Sequence, residues 1–256
     1  MSSHALTGAT GLLMQRAVNE VIRVPGAAIP GVLAPTLFML GLTAVFGNLT
    51  ALPGFTTESY LTFILPVGMM QGATFAGAAT GVNLARDIEQ GWFDRLLASP
   101  VPRPVLLVGT VLSASFRCLL PISMLLIVGF LLGVPFPGID GLIVAVVLAA
   151  CFSAVVACYA VTLALRFRTQ QAAPLMQAGA FMSVLFTTSY APQELLTGWL
   201  KDVAAVNPVT QILEGVRQGF VGDVTWGNTW PAVLTLIALA LVLGGLALRG
   251  LRRTGA

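Results

Sequence analysis

Apolar residues in this chain continue for about twenty positions at a time, well past the two-residue alternation of a strand or the one-sided stripe of a surface helix. The runs lie at about 28–46, 60–84, 104–132, 142–165, 172–190 and 229–248. A hydrocarbon core of ~30 Å takes about 20 residues of helix. The pattern therefore predicts an all-α, polytopic membrane protein with six transmembrane helices in a single domain, residues 1–256.

Between the runs the pattern changes. Residues 12–24 place Met14, Val18, Val21 and Ile22 on one helical face, with Gln15, Arg16, Asn19, Glu20 and Arg23 largely opposite, and Pro25-Gly26 follows. That spacing predicts a helix lying in the membrane interface. Residues 86–101 put Ile88, Trp92 and Leu96 on one face and Asp87, Glu89, Gln90 and Asp94 elsewhere, and Ser99-Pro100 stops the segment. This predicts a short amphipathic helix between the second and third spans. In residues 191–222, Leu195, Leu196, Trp199, Leu200 and Val203 form one apolar stripe, and Ile212, Leu213, Val216 and Phe220 form another.

Composition fixes the solvent. Hydrophobic residues make up 57% and charged residues 9%, against roughly 25% charged in soluble domains. A net charge of +3 is too small, and its arginines too dispersed, for a nucleic-acid surface. Anionic membrane lipid is the expected acidic partner. Orientation follows from the same arginines. With a cytoplasmic N-terminus, that side holds Arg16, Arg23, Arg86, Arg95, Arg103, Arg166, Arg168, Arg249, Arg252 and Arg253, and the other side holds Lys201 and Arg217. Both termini are then cytoplasmic.

The chemistry is mostly subtractive. Cys118, Cys151 and Cys158 lie inside apolar runs and read as packing residues, and His4 is the lone histidine, so no catalytic residue and no metal site is expected. A P-loop needs a lysine at the phosphates, yet the only lysine is Lys201, in Trp199-Leu200-Lys201-Asp202. Glu58, Asp140 and Asp223 lie at the ends of apolar runs, and Asp87, Glu89, Asp94, Glu194, Asp202 and Glu214 are assigned to polar loops, which leaves no carboxylate for a proton relay. Energy, if used, must arrive from another protein.

Two features stand inside the spans. Gly68, Gly72 and Ala76, with Ala73, Gly77 and Gly81 beside them, let helix backbones approach closely, within the chain or between protomers. Arg117 sits mid-span between Ser115 and Pro121, where a charge costs about 2.5 to 3.5 kcal/mol on insertion scales. It is a contact for an anionic or polar substrate group in a transport path, a structural residue bonded to carbonyls that Pro121 frees, or a side chain that snorkels along its own helix.

Asp87-x-Glu89-x-Gly91, followed by Arg95-Leu96-Leu97-Ala98-Ser99-Pro100-Val101, resembles the signature between spans two and three of ABC-2 type permeases, the membrane subunits of ABC exporters, and especially their daunorubicin-resistance-like branch. A second block agrees: Ala191-Pro192, Trp199-Leu200, Asn207-Pro208-Val209-Thr210 and Glu214-Gly215-Val216-Arg217. The resemblance implies a type V exporter fold whose residues 86–101 form a coupling helix, with Asp87, Glu89, Gly91, Trp92, Asp94 and Arg95 contacting a separate ATPase subunit. That subunit would bind the ATP and magnesium; this chain carries no cofactor. Residues 191–222 would be paired half-helices dipping in from outside, with Trp199, Asn207, Pro208, Glu214 and Arg217 at an extracellular gate. Arg117, Met69, Gln71, Phe181 and Phe186 are candidates for the path. The implied partners are ATPase subunits, a second permease copy or paralogue, lipid, and a hydrophobic or amphipathic substrate in a bacterial inner membrane. A permease for a lipid-linked glycan, an ion-driven carrier and a membrane scaffold are the alternatives.

Overall fold

The computed structural model describes residues 25–55, 57–97 and 102–253, and contains no strand among them. In order come α1 (Pro25–Phe46), a 3-10 turn (Gly47–Ala51), α2 (Tyr60–Glu89), α3 (Trp92–Leu97), α4 (Arg103–Arg117), α5 (Leu119–Leu131), α6 (Gly138–Phe167), α7 (Ala173–Leu185), α8 (Trp199–Val206), α9 (Pro208–Val221) and α10 (Trp226–Arg253). The expected interface helix at 12–24 lies outside the described residues. Among the described residues, five helical stretches are long and apolar enough to cross a membrane: Gly31–Ala51, Tyr60–Glu89, Arg103–Leu131, Gly138–Phe167 and Trp226–Arg253. The chain is an all-α polytopic membrane protein.

Helix α2 is the axle. Its most apolar window is 89% buried, against 11% for the α1 stretch and 17% for α10. Small residues explain the difference. A Cβ added at Gly77 would stand 2.6 Å from the Ser153 carbonyl oxygen, and one at Gly81 2.5 Å from the backbone of Ala160, so this pair seats α6. Gly68 and Gly72 instead meet Leu125 and Pro121 of α5, the nearest atoms at 3.3 and 3.0 Å. The two glycine ladders thus serve two helices of the same chain. Dispersion between closely approaching backbones does here what the hydrophobic effect cannot do between apolar helices.

The third predicted span is two helices, α4 and α5, meeting at Cys118. Pro121 has no N–H for the Arg117 carbonyl, and its ring crowds that carbonyl, so the turn between them loses its regular geometry.

The predicted span at 172–190 differs more. A 3-10 turn at Gln170–Ala172 leads in, and the segment is α-helical only over Ala173–Leu185, about 20 Å. Beyond Leu185 the hydroxyls of Thr187 and Ser189 both donate to the Val184 carbonyl at 2.6 Å, a local competition that ends helices. The segment still runs the whole length of α2. Gln170 lies against Glu89 at one end, and the Tyr190 carbonyl accepts from the Tyr60 hydroxyl at 2.9 Å at the other.

Helix α9 is drawn tightly into the bundle. Val209, Ile212, Leu213, Val216 and Phe220 form its buried face. A Cβ at Gly219 would meet the Gly141 Cα of α6 at 2.5 Å, and one at Gly215 would meet the Ala232 Cβ of α10 at 2.6 Å. This corrects the placing of Glu214, which lies half-exposed on α9 and not in a polar loop, because the apolar stripe of that helix packs inward and draws it in beside the buried Arg217.

Candidate functional site

Three groups of polar side chains are strung along α2. The first is where α2 stops. Helix α2 runs on to Glu89, and Gly91, at φ +73°, breaks the helical path before α3 starts at Trp92. The break shifts the register, so Ile88, packed against the Phe93 cluster, and Trp92 do not share the expected face. Trp92 is 58% exposed, and Phe93 is the buried anchor, packed with Val161, Leu165, Ala247 and Leu251. Asp94 and Arg95 are exposed, and the Arg95 guanidinium lies 5.3 Å from the centroid of the Trp92 ring. Residues 98–101 of the expected coupling helix lie outside the described residues.

Glu89 is engaged within the chain. The Thr169 hydroxyl donates to its Oε1 at 2.7 Å and the Gln170 backbone N–H to the same oxygen at 3.0 Å. Gln170 Nε2 donates to Oε2 at 2.7 Å, and Arg86 Nε donates to Gln170 Oε1 at 3.4 Å. Asp87 is half-buried in the same last turn of α2. Thr169 and Gln170, absent from the sequence-based site, were legible only as polar residues in a short connection; nothing in their spacing pairs them with a carboxylate eighty positions earlier.

The second group is inside the bundle. Arg117 NH2 donates to Thr80 Oγ1 at 2.6 Å, nine positions along α2 from Gln71, about 14 Å of helix. Gln71 is fully buried, and neither its Oε1 nor its Nε2 has a hydrogen-bond partner among the described residues. Met69, also expected on the path, is fully buried too. One turn along α2 from Gln71, the Phe75 ring lies 5.8 Å from that of Phe181, which in turn lies 6.3 Å from Phe38. Three helices, α1, α2 and α7, thus share one aromatic cluster.

The third group surrounds Arg217, whose side chain is 3% exposed. Its NH1 pairs with Glu214 Oε1 at 2.8 Å and its NH2 donates to the Thr188 carbonyl at 2.9 Å. The Thr188 hydroxyl also donates to Glu214. Below the guanidinium lies the Phe63 ring, 3.9 Å from Cζ to centroid, a cation–π contact strengthened by the loss of water. Phe63 and Thr188 are the members that sequence reasoning missed. Nearby, Asn207 caps α9 by accepting from the Val209 N–H at 3.0 Å, while its Nδ2 donates to the Ser183 and Phe186 carbonyls, both at 2.8 Å. Pro208, exposed, follows at the first turn of α9. Trp199 is exposed, with its ring 5.7 Å from Phe186.

Among the described residues no cluster of His, Cys, Asp or Glu could hold a metal ion. The three groups offer protein–protein contact, a polar point in an apolar interior and an ion pair between a buried arginine and a half-exposed glutamate.

The model of the family described as ABC-2 type transporter matches residues 9–221. The chain is 26% identical to the daunorubicin resistance ABC transporter permease protein DrrB1 of Streptomyces coeruleorubidus over 251 residues, 94% of this chain and 85% of that protein. It is 28% identical over 213 residues to the probable doxorubicin resistance ABC transporter permease protein DrrC of Mycobacterium tuberculosis, 81% of this chain and 74% of that protein. Similarity extends to the probable multidrug ABC transporter permease YbhR of Escherichia coli, at 23% over 201 residues, covering 78% of this chain and 52% of that protein.

Proposed function

The chain belongs to the ABC-2 type transporter family, and from that premise we propose that it is the permease subunit of an ATP-driven exporter, moving a hydrophobic or amphipathic molecule such as a drug, antibiotic or lipid across a bacterial cytoplasmic membrane. A separate ATPase subunit binds ATP and magnesium, and a second permease, copy or paralogue, completes the path. Both termini are cytoplasmic, and the chain crosses six times. The run of residues 170–190 along the full length of α2 supports the sixth crossing, as does the arginine count.

The observation that carries the reading is α3, a short helix at the end of the axle with Phe93 plugged into the bundle and Trp92, Asp94 and Arg95 turned outward. An exposed tryptophan with a cation on its face is the type of residue that anchors a protein interface. The ATPase seats on this surface and moves it. Arg117, Met69, Gln71, Phe181 and Phe186 line the path, and Trp199, Asn207, Pro208, Glu214 and Arg217 form its outer closure.

The test is co-purification from cells expressing the permease with its ATPase, followed by reconstitution. Trp92→Ala with Arg95→Ala should lower permease-dependent ATP hydrolysis about ten-fold or more while leaving the permease folded. A permease that captures no ATPase, or hydrolysis indifferent to this surface, would sink the proposal.

A further inference from the structure

Glu89 belongs to the signature expected to touch the ATPase, yet its carboxylate is already occupied. Three donors from the connection between α6 and α7 converge on its two oxygens at 2.7, 3.0 and 2.7 Å. The Gln170 side chain is itself held from behind by Arg86, on the same turn of α2. An outside partner would have to strip away these bonds before using the carboxylate. Only Gln90 and Gly91 separate Glu89 from α3, and only Gln171 and Ala172 separate Gln170 from α7. The contact is therefore a short mechanical link between the outward-facing helix α3 and α7. Helix α7 carries Phe181 into the aromatic cluster with Phe38 and Phe75. Its far end is tied by Asn207 to the start of α9.

We propose that Glu89 is a positioning residue that couples α3 to α7: it grips Thr169 and Gln170, so that displacement of α3 by the ATPase is delivered to the start of α7 and through it to the path and the outer closure. This rests on the function proposed above and assigns a route within it. Hydrogen bonds to neutral donors suit the task. They hold direction and are exchanged readily for water at an exposed site, so the link can be remade in each cycle. The Glu89 charge is not what the link requires, since an amide oxygen can accept from Thr169 and the Gln170 N–H as well, which keeps two of the three bonds and gives up the one from Gln170 Nε2.

A double-mutant cycle in the reconstituted permease–ATPase complex decides the matter. Glu89→Ala should lower permease-dependent hydrolysis about ten-fold, and Thr169→Val with Gln170→Leu, which keeps the Gln170 backbone N–H on Glu89, by somewhat less. The combination should lower it no further, with ATPase affinity unchanged throughout and Glu89→Gln restoring most of the rate. Effects that multiply, a loss of ATPase affinity in Glu89→Ala, or failure of Glu89→Gln to rescue would each overturn the proposal and return Glu89 to the ATPase contact. The link itself is read in the permease alone by hydrogen exchange. Glu89→Ala should speed exchange of the Gln170 amide about ten-fold, and an unchanged rate overturns the proposal. Because that measurement needs no ATPase, failure to capture one would defeat the exporter reading without deciding the Glu89 link.

Discussion

Arg217 and Glu89 stand toward opposite ends of the α2 axle, and each is met by donors or acceptors from a distant part of the chain. They are held in opposite ways. Arg217 is buried, ion-paired with Glu214 and laid on the Phe63 ring, so its charge has no water to fall back on. Glu89 is exposed and bonded to uncharged partners, so water can replace any of them at little cost. A buried charge makes a permanent fixture, because removing its partner is expensive. An exposed carboxylate makes a joint that can open.

The largest effect should come from breaking the fixture on one side only. Glu214→Ala leaves the guanidinium with the Thr188 carbonyl and the Phe63 ring, and should destabilise by about 3 kcal/mol in denaturant unfolding of the detergent-solubilised permease. Adding Arg217→Met removes the stranded charge at similar volume and should recover most of that loss. If the double variant is no more stable than Glu214→Ala, the buried charge is not the source of the cost.

Next comes the seam between the two ends. Gly81→Ala drives a methyl group against the Ala160 backbone and should cost about 2 kcal/mol by the same unfolding assay. Gly72→Ala meets the Pro121 side chain at 3.0 Å and should cost less. Equal losses would mean that α5 and α6 grip α2 with equal rigidity.

The smallest effect should have the opposite sign. Gln71→Leu replaces a buried amide that lacks partners and should stabilise by about 1 kcal/mol, seen as a rise in thermal midpoint. A fall would mean that the amide is satisfied where it stands.

Much of this was legible in the sequence, for a definable reason. The long apolar runs and the glycine ladders of α2 depend on length and spacing, which bilayer thickness and helix geometry convert directly into spans and close contacts. What escaped depends on chirality, competition and distance. The inward turn of Phe93 in place of Trp92 follows from the positive φ of Gly91, which resets the helical register at one residue. The early end of α7 follows from two hydroxyls outbidding the backbone for the Val184 carbonyl. Thr169, which meets Glu89, and Thr188, which meets Arg217, lie eighty and twenty-nine positions away, and no local pattern specifies them; Glu214, three positions before Arg217, is the local partner. Glu214 reads as a loop residue because a carboxylate beside polar residues looks solvated until its helix is seen to pack inward.

The joint at Gly91 has one more property. At φ +73° its backbone has the handedness natural to a D-amino acid, in a chain whose helices are otherwise right-handed. An L side chain there is opposed by its own Cβ, whereas a D-alanine would sit without strain and narrow the freedom of the unfolded chain. The place where α3 meets the axle is thus a local inversion of stereochemistry, and among the twenty coded residues glycine is the closest available stand-in for the mirror image it calls for.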